Sequence, residues 1–350
     1  MSAQEFKLAC PVAKEAGDEI TMAHGGGGRV MHRLIEDVFR GVFNDPELER
    51  AHDGAFVDVK DGCLAFTTDS FVVRPLFFPG GDIGSLAVHG TANDLAMCGA
   101  EPLFLSCGFI LEEGLLISTL RKAAQSMAKA AKAAGLRVVT GDTKVVERGK
   151  GDGIYVNTAG IGRRLLARRP DPSGVVAGDV ILASGDVGAH GAAILSVREG
   201  LEFETAVLSD SAAVWPQVKA LIEADVEIHC LRDLTRGGLA TALNEIAGSS
   251  KLGLSIEEDL IPVRPEVASA CEVFGLEPLY MACEGRFIVF VPERGSARAL
   301  EVLAKACPGQ APALIGKAAD RHPGEVRMTT KIGVERMLDM LSGEQLPRIC

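Results

Sequence analysis

Apolar and polar positions along the chain predict strands and helices in alternation. Residues 63–67 (CLAFT) read as a strand running into Thr68, Asp69 and Ser70. Small and apolar residues over 84–98 predict a helix stopped by Gly99. A buried strand follows at 103–110 (LFLSCGFI). Residues 117–134 predict an amphipathic helix with Leu120, Ala124, Met127 and Ala131 on one face, ended by Gly135. Its Arg121, Gln125, Lys129 and Lys132 form a solvated stripe. Strands are expected at 136–140, ending in Gly141, Asp142 and Thr143, and at 154–162.

The periodicity breaks near 163–174, where RRLLARRPDPSG carries charge and two prolines, as at a domain boundary. A second alternating unit follows: a strand at 179–184, a helix at about 190–199, a helix at 237–247, a strand at 286–291, a helix at 296–306, and short strands at 313–319 and 325–330. Residues 331–350 read as a tail with a short helical piece near 333–342. The two α/β halves are of similar size.

Composition narrows the class. The net charge of −11 over 350 residues argues against a nucleic-acid or anionic-membrane binder, which needs a basic stripe. No uninterrupted apolar stretch reaches the roughly 18 residues of a membrane helix, and the N-terminus has no signal-peptide core. With no C-x-x-C pair among nine cysteines, zinc ribbons and thioredoxin-like motifs are excluded, and a soluble, reduced, cytoplasmic protein is expected. Eight cysteines read as small buried thiols. The ninth, Cys350, is the last residue.

Several motifs could carry chemistry. Gly25, Gly26, Gly27 and Gly28 precede an amphipathic segment, as in a loop that cradles phosphate on bare amides; a flexible linker fits equally well. Asp69 and Asp142 sit at predicted strand ends. Asp94 lies in mid-helix among Ala, Leu and Met, where an unpaired carboxylate is costly. Three such acids, with Asn93 as a neutral oxygen donor, suit a hard cation such as Mg²⁺ carrying phosphates. Taken singly, Asp69 and Asp142 fit Asx turns or helix caps equally well or better. Lys144 offers a point charge for phosphate. His190 follows a glycine turn at a helix start, as a capping residue or an acid–base group. Arg232 to Gly238 (RDLTRGG) suggests an anion seat at a helix N-terminus. Glu284 is either a base of raised pKa or a partner for Arg286. Seven residues follow Gly343, an arm of up to roughly 25 Å that could swing a thiol into a distant site, or a frayed end.

The stretches TTDSFVVRPLFFPGGDIG (67–84), GTANDLAMCGA (90–100), GDTKVV (141–146), AHGAAIL (189–195), RDLTRGGLATALNEIA (232–247) and PRIC (347–350) together resemble the HypE family of carbamoyl dehydratases, hydrogenase maturation factors of the aminoimidazole-ribotide synthetase superfamily. The likeness covers nearly the whole chain. It implies an α/β (α+β type), two-domain aminoimidazole-ribotide-synthetase-like fold whose N-terminal sheet pairs with its copy into a barrel in a homodimer. It divides the chain into an N-terminal extension (1–24), an ATP-binding and dimerisation domain (25–168), a C-terminal α/β domain (169–330) and a flexible tail (331–350).

The resemblance also implies a reaction. The carbamoyltransferase HypF would load a carbamoyl group onto Cys350. ATP would phosphorylate the thiocarbamate oxygen, and loss of phosphate would leave a protein thiocyanate, passed to iron on the HypC–HypD complex. Asp69, Asp94 and Asp142 would then hold Mg²⁺–ATP, supported by Asn93, Thr68, Thr143 and the glycines 25–28. Lys144 and Glu284 would flank the incoming thiol, with His190 the competing base. The rivals are a selenophosphate synthetase or thiamine-phosphate kinase of the same superfamily, and a nucleotide-gated scaffold with no turnover. A selenophosphate synthetase would be expected to place a reactive cysteine in or beside the glycine-rich loop, which here has none.

Overall fold

The computed structural model describes residues 28–34, 36, 50, 52–59, 62–200, 206–341 and 349–350. A short helix, α1 (Arg29–Leu34), precedes a sheet built from β1 (Ala55–Val59), β2 (Gly62–Phe71), β5 (Ala100–Glu112), β6 (Arg137–Val146) and β7 (Ile154–Arg164). Its strand order is β1-β2-β7-β5-β6. The two-residue strands β3 (Phe77–Phe78) and β4 (Gly81–Asp82) lead into helix α2 (Ile83–Met97), and α3 (Ile117–Ala133) joins β5 to β6.

Helix α2 starts where the Asp82 side chain accepts from the backbone N–H groups of Gly84 and Ser85, while the Ser85 hydroxyl accepts from Asp82 N–H. It stops at Gly99, whose φ of +63° suits glycine. Its composition is small and apolar all round because both sides are covered. It packs on β2, β5, β7 and α3, and also on the strand Cys230–Asp233 and the helix Trp215–Glu223 of the second half.

That half holds a seven-stranded sheet, order β14-β13-β10-β12-β8-β11-β9. Its strands are β8 (Asp179–Ala183), β9 (Cys230–Asp233), β10 (Gly253–Glu257), β11 (Phe287–Pro292), β12 (Ala313–Ala319), β13 (Val326–Thr329) and β14 (Glu335–Met337). The helices are α4 (Ala189–Arg198), α5 (Trp215–Glu223), α6 (Gly238–Ser250), α7 (Pro265–Phe274) and α8 (Ser296–Ala306). Phe287 and Phe290 are fully buried in its core.

Two expectations need correction. The strand expected to end at 140 runs on to Val146, because its parallel ladder with the long β5 continues through Gly108–Asp142 and Ile110–Lys144. Asp142 and Lys144 therefore lie inside an edge strand. The helical piece expected near 333–342 is instead strand β14. Gly333, at φ +78°, turns the chain, and Glu335–Met337 pair back antiparallel onto β13.

On the face of the first sheet away from α2, Phe66 stands beside Ile161, and Ile161 beside Phe104, in ladder register. All three are exposed.

Candidate active site

A small cleft of about 40 Å³ opens between the two halves, lined by Asp69, Gly90, Asp94, Asp233, Arg236, Glu284 and Cys350, among others. Five separate segments supply these groups. On β2, the strand alternation turns Thr67, Asp69 and Phe71 toward α2 and leaves Thr68 and Ser70 exposed. Helix α2 contributes Asp94 and Gly90. A Cβ on Gly90 would come within 2.8 Å of the Phe71 ring, so only glycine fits there. Asp233 ends β9. Gly238 follows at φ +59°, so that helix α6 can begin hard against the Leu279 and Met281 carbonyls, where a Cβ would fall 2.6 Å from each. Glu284 lies on the loop before β11.

The cleft is a convergence of acids. The Asp69 and Asp94 carboxyl groups stand side by side near Thr91, and the Thr67 hydroxyl donates to Asp94 at 2.7 Å. Burial first, then the neighbouring Asp69, Asp233 and Asp53, holds Asp94 well above the usual carboxylate range. Burial likewise raises Asp69, against the pull of Arg236. Asp233 is pushed up to about 6 by burial, opposed chiefly by Arg232. Glu284 is 2% exposed, and its Oε1 has no hydrogen-bond partner. Burial and the nearby Asp233, Asp210 and Asp69 hold it well above the ordinary glutamate range. It does not pair with Arg286, whose guanidinium goes to Asp186 at 2.7 Å.

Cys350 sits inside this cleft. Burial pushes its thiol up to about 11, against a hydrogen bond and the positive charge of Arg236. A main-chain carboxylate oxygen of Cys350 accepts from Val72 N–H at 3.0 Å. Ile349 is buried among the first half's core residues, including Phe71 and Phe78.

Other expected site residues go elsewhere. His190 is fully buried, with Nδ1 at 2.8 Å from the Ser209 hydroxyl and Nε2 on the Ile349 carbonyl. Neither ring nitrogen is left for the thiol. Asn93 spends its oxygen on Val214 N–H at 2.9 Å and its amide on the Ala212 and Glu284 carbonyls, so it braces the loop that carries Glu284. Thr68 points to the open face and donates to the Thr158 carbonyl. Thr143 is exposed on β6. Asp142 pairs with Lys144 at 3.1 Å, both exposed. The ladder runs from Asp69 through Thr158 and Cys107 to Gly141, three strand steps or roughly 14 Å from the cleft. Gly28 packs against the Leu341 carbonyl; Gly25, Gly26 and Gly27 lie outside the described residues.

Two acids, Asp233 and Asp53, went unread in the sequence, while Arg236 was read only as part of an anion seat. Asp233 and Arg236 belong to the stretch taken as an anion seat, where the arginines and glycines drew the reading away from the acid. Asp53 has no motif around it. It reaches the acid group through Arg232, which pairs with Asp53 and Glu245 at 2.5 Å each. Its Oδ2 is buried without a partner.

Among the described residues, no three His, Cys, Asp or Glu side chains close around a metal ion by themselves. Asp69, Asp94, Asp233 and Glu284 all bring carboxyl oxygens to the cleft. That chemistry fits a hard cation whose remaining ligands come from a phosphate chain.

Fold and cleft match a known class. The AIR synthase related protein N-terminal domain matches residues 51–164 and the corresponding C-terminal domain matches residues 176–329. The carbamoyl dehydratase HypE of Rhodobacter capsulatus is 50% identical over 341 residues, covering 95% of this chain and 98% of that protein. A crystal structure of the hydrogenase maturation protein HypE in complex with ATP is 49% identical, with a TM-score of 0.81, covering 94% of this chain and 99% of that one. HypE in a HypE–HypF complex is 43% identical, with a TM-score of 0.82, covering 88% of this chain and 99% of that one. The chain thus belongs to the AIR synthase related proteins and, within them, to the carbamoyl dehydratase HypE family.

Proposed function

We propose that this chain dehydrates a carbamoyl group carried on its own Cys350, at the cost of ATP, to give a thiocyanate that supplies the cyanide ligand of a nickel–iron hydrogenase. The observation that carries the reading is the Cys350 thiol docked among Asp69, Arg236 and Glu284.

The chemistry needs an oxygen made into a leaving group. In S–C(=O)–NH₂ the carbonyl oxygen attacks the γ-phosphorus of ATP, ADP departs, and one nitrogen proton is lost. The second nitrogen proton then goes to a base as the C–O bond breaks, giving S–C≡N and phosphate. Glu284 is our base. Burial makes its ionised form a strong one, and its partnerless oxygen is free to accept a proton. Arg236, hydrogen-bonded to the thiol, sets positive charge beside the oxygen that gathers negative charge. Asp69, Asp94 and Asp233 would hold Mg²⁺, with Asp53 behind them. When bound, that ion supplies charge neutralisation for the triphosphate. His190 holds the tail rather than acting as the base.

Asp142 and Lys144 keep a role only from outside this cleft. We assign them to the nucleotide of a second copy in a homodimer. The exposed row Phe66, Ile161 and Phe104 supports that assembly, since a facing sheet would cover it. A HypF-type carbamoyltransferase is the donor we expect, given the HypE–HypF complex, and a HypC–HypD-type scaffold the acceptor. Among the described residues no helix is long and apolar enough to cross a membrane. A cytoplasmic setting suits the free cysteines.

Intact-mass measurement with ATP and carbamoyl donor tests the reading. The full chain should gain a carbamoyl mass and then lose one water. Cys350→Ala should bind ATP and gain nothing. Carbamate on that variant's remaining cysteines, with undiminished cyanide output, would overturn the proposal.

A further inference from the structure

Besides the contact of Arg236 with the thiol, the tail is held at three further points. A main-chain carboxylate oxygen of Cys350 takes Val72 N–H, the Ile349 side chain fills a socket in the core of the first half, and the Ile349 carbonyl meets His190. A carbonyl only accepts, so His190 Nε2 must carry the ring proton. Nδ1 is then the acceptor and the Ser209 hydroxyl its donor. Ser209 Oγ in turn accepts from Ser211 N–H at 3.1 Å, which leaves its own proton for the ring. The Phe78 ring stands edge-on to the imidazole, 5.4 Å between centroids. Every group has one role, and the imidazole is locked in a single tautomer and orientation.

We propose that His190 is a positioning residue: with Ser209 it latches the penultimate peptide of the tail, and the latch sets how long Cys350 stays in the cleft. This rests on the dehydratase reading for its purpose, but not for its test. The latch reads backbone, so it is indifferent to what the sulfur carries. It grips the tail before loading and again when the carbamoyl group must be held still for ATP. Loading by a partner requires the opposite state, because the docked thiol is half-buried inside the cleft and its pKa is pushed up to about 11.

The experiment is alkylation of Cys350 by iodoacetamide at pH 8, followed by intact mass, without ATP or carbamoyl donor. The variants are His190→Leu, His190→Gln and Ile349→Ala. His190→Leu removes the donor. Ile349→Ala alters only the tail and leaves the socket intact. Each should alkylate roughly tenfold faster than the parent, the effect of one lost hydrogen bond or apolar anchor. His190→Gln restores an N–H at about the Nε2 position and should stay within about twofold of the parent. In the full reaction, His190→Leu should slow dehydration and leave carbamoyl loading as fast or faster, whereas general damage to the fold would slow both. Parent-rate alkylation in both His190→Leu and Ile349→Ala would overturn the latch, as would His190→Gln exposing the thiol as fully as His190→Leu. A parent protein that shields Cys350 yet never dehydrates it would instead sink the proposed function and leave the latch standing.

Discussion

Asp69 and Asp94 stand side by side in the cleft, each buried carboxyl bearing on the other. Burial raises both above the ordinary carboxylate range, and for Asp94 the negative charge of Asp69 adds to it. A bound cation would relieve that crowding by favouring the ionised form of the pair.

Asp94→Asn follows directly. Because the fold raises the Asp94 pKa, stability is full below the ordinary value of 3.8 and is lost as pH rises through the folded value. The amide carries no such penalty and still accepts from Thr67. Its melting temperature should exceed the parent's by several degrees at pH 8 by scanning fluorimetry, and the gap should close toward pH 4. ATP turnover should fall roughly 100-fold or more. A gap that persists unchanged in acid would mean that Asp94 is not the strained group.

Mg²⁺ should stabilise the parent and spare that variant. A ligand at about 100 times its Kd adds roughly 2.7 kcal/mol to the folded state. Thermal shifts with Mg²⁺ and ATP together should be large for the parent and small for Asp94→Asn, and EDTA should erase the parent's shift. An EDTA-resistant shift of full size would remove the cation from the site.

Glu284→Gln keeps shape and burial and loses the base. Intact mass should show the carbamoyl adduct accumulating without the species lighter by one water. Arg236→Met should also load normally, but its dehydration should slow by roughly 100-fold, the loss typical of a positive group aimed at developing charge. Normal thiocyanate formation by Glu284→Gln would end its role as base.

Lys144 offers a test across subunits. If it serves the neighbouring copy, an equal mixture of inactive Lys144→Ala and Glu284→Gln chains, allowed to exchange, should recover roughly a quarter of parent activity, since half the dimers carry one intact site. Lys144 acting within its own chain gives no recovery.

The order of elements was largely legible, because helix α2 announces itself by small residues between a cap and Gly99, and β8 and β11 by apolar runs. Asp94 stood out because mid-helix among alanines it had no local use. What stayed hidden depends on three-dimensional closure. Asp53 gains meaning only through Arg232, 179 positions away in sequence. Asp142 looked like Asp69, a carboxylate after a strand, until β6 proved to be an edge strand three ladders from the cleft. The identity of His190 as a clamp depended on the Ile349 carbonyl, 159 residues on. Local patterns report which faces are buried; they do not report which distant backbone group a buried ring meets.

The socket filled by Ile349 has a thermodynamic consequence for partner choice. One tail cannot occupy the cleft and a donor's active site together. Any donor that captures Cys350 must pull Ile349 out of the core of the first half, and whatever factor docking takes from the donor's affinity, the donor takes from docking. Nucleotide that favours the docked state should therefore loosen an unloaded donor complex by the amount that donor weakens nucleotide. Ile349, through its side chain in the socket and its carbonyl on His190, thus weights the balance between loading and dehydration.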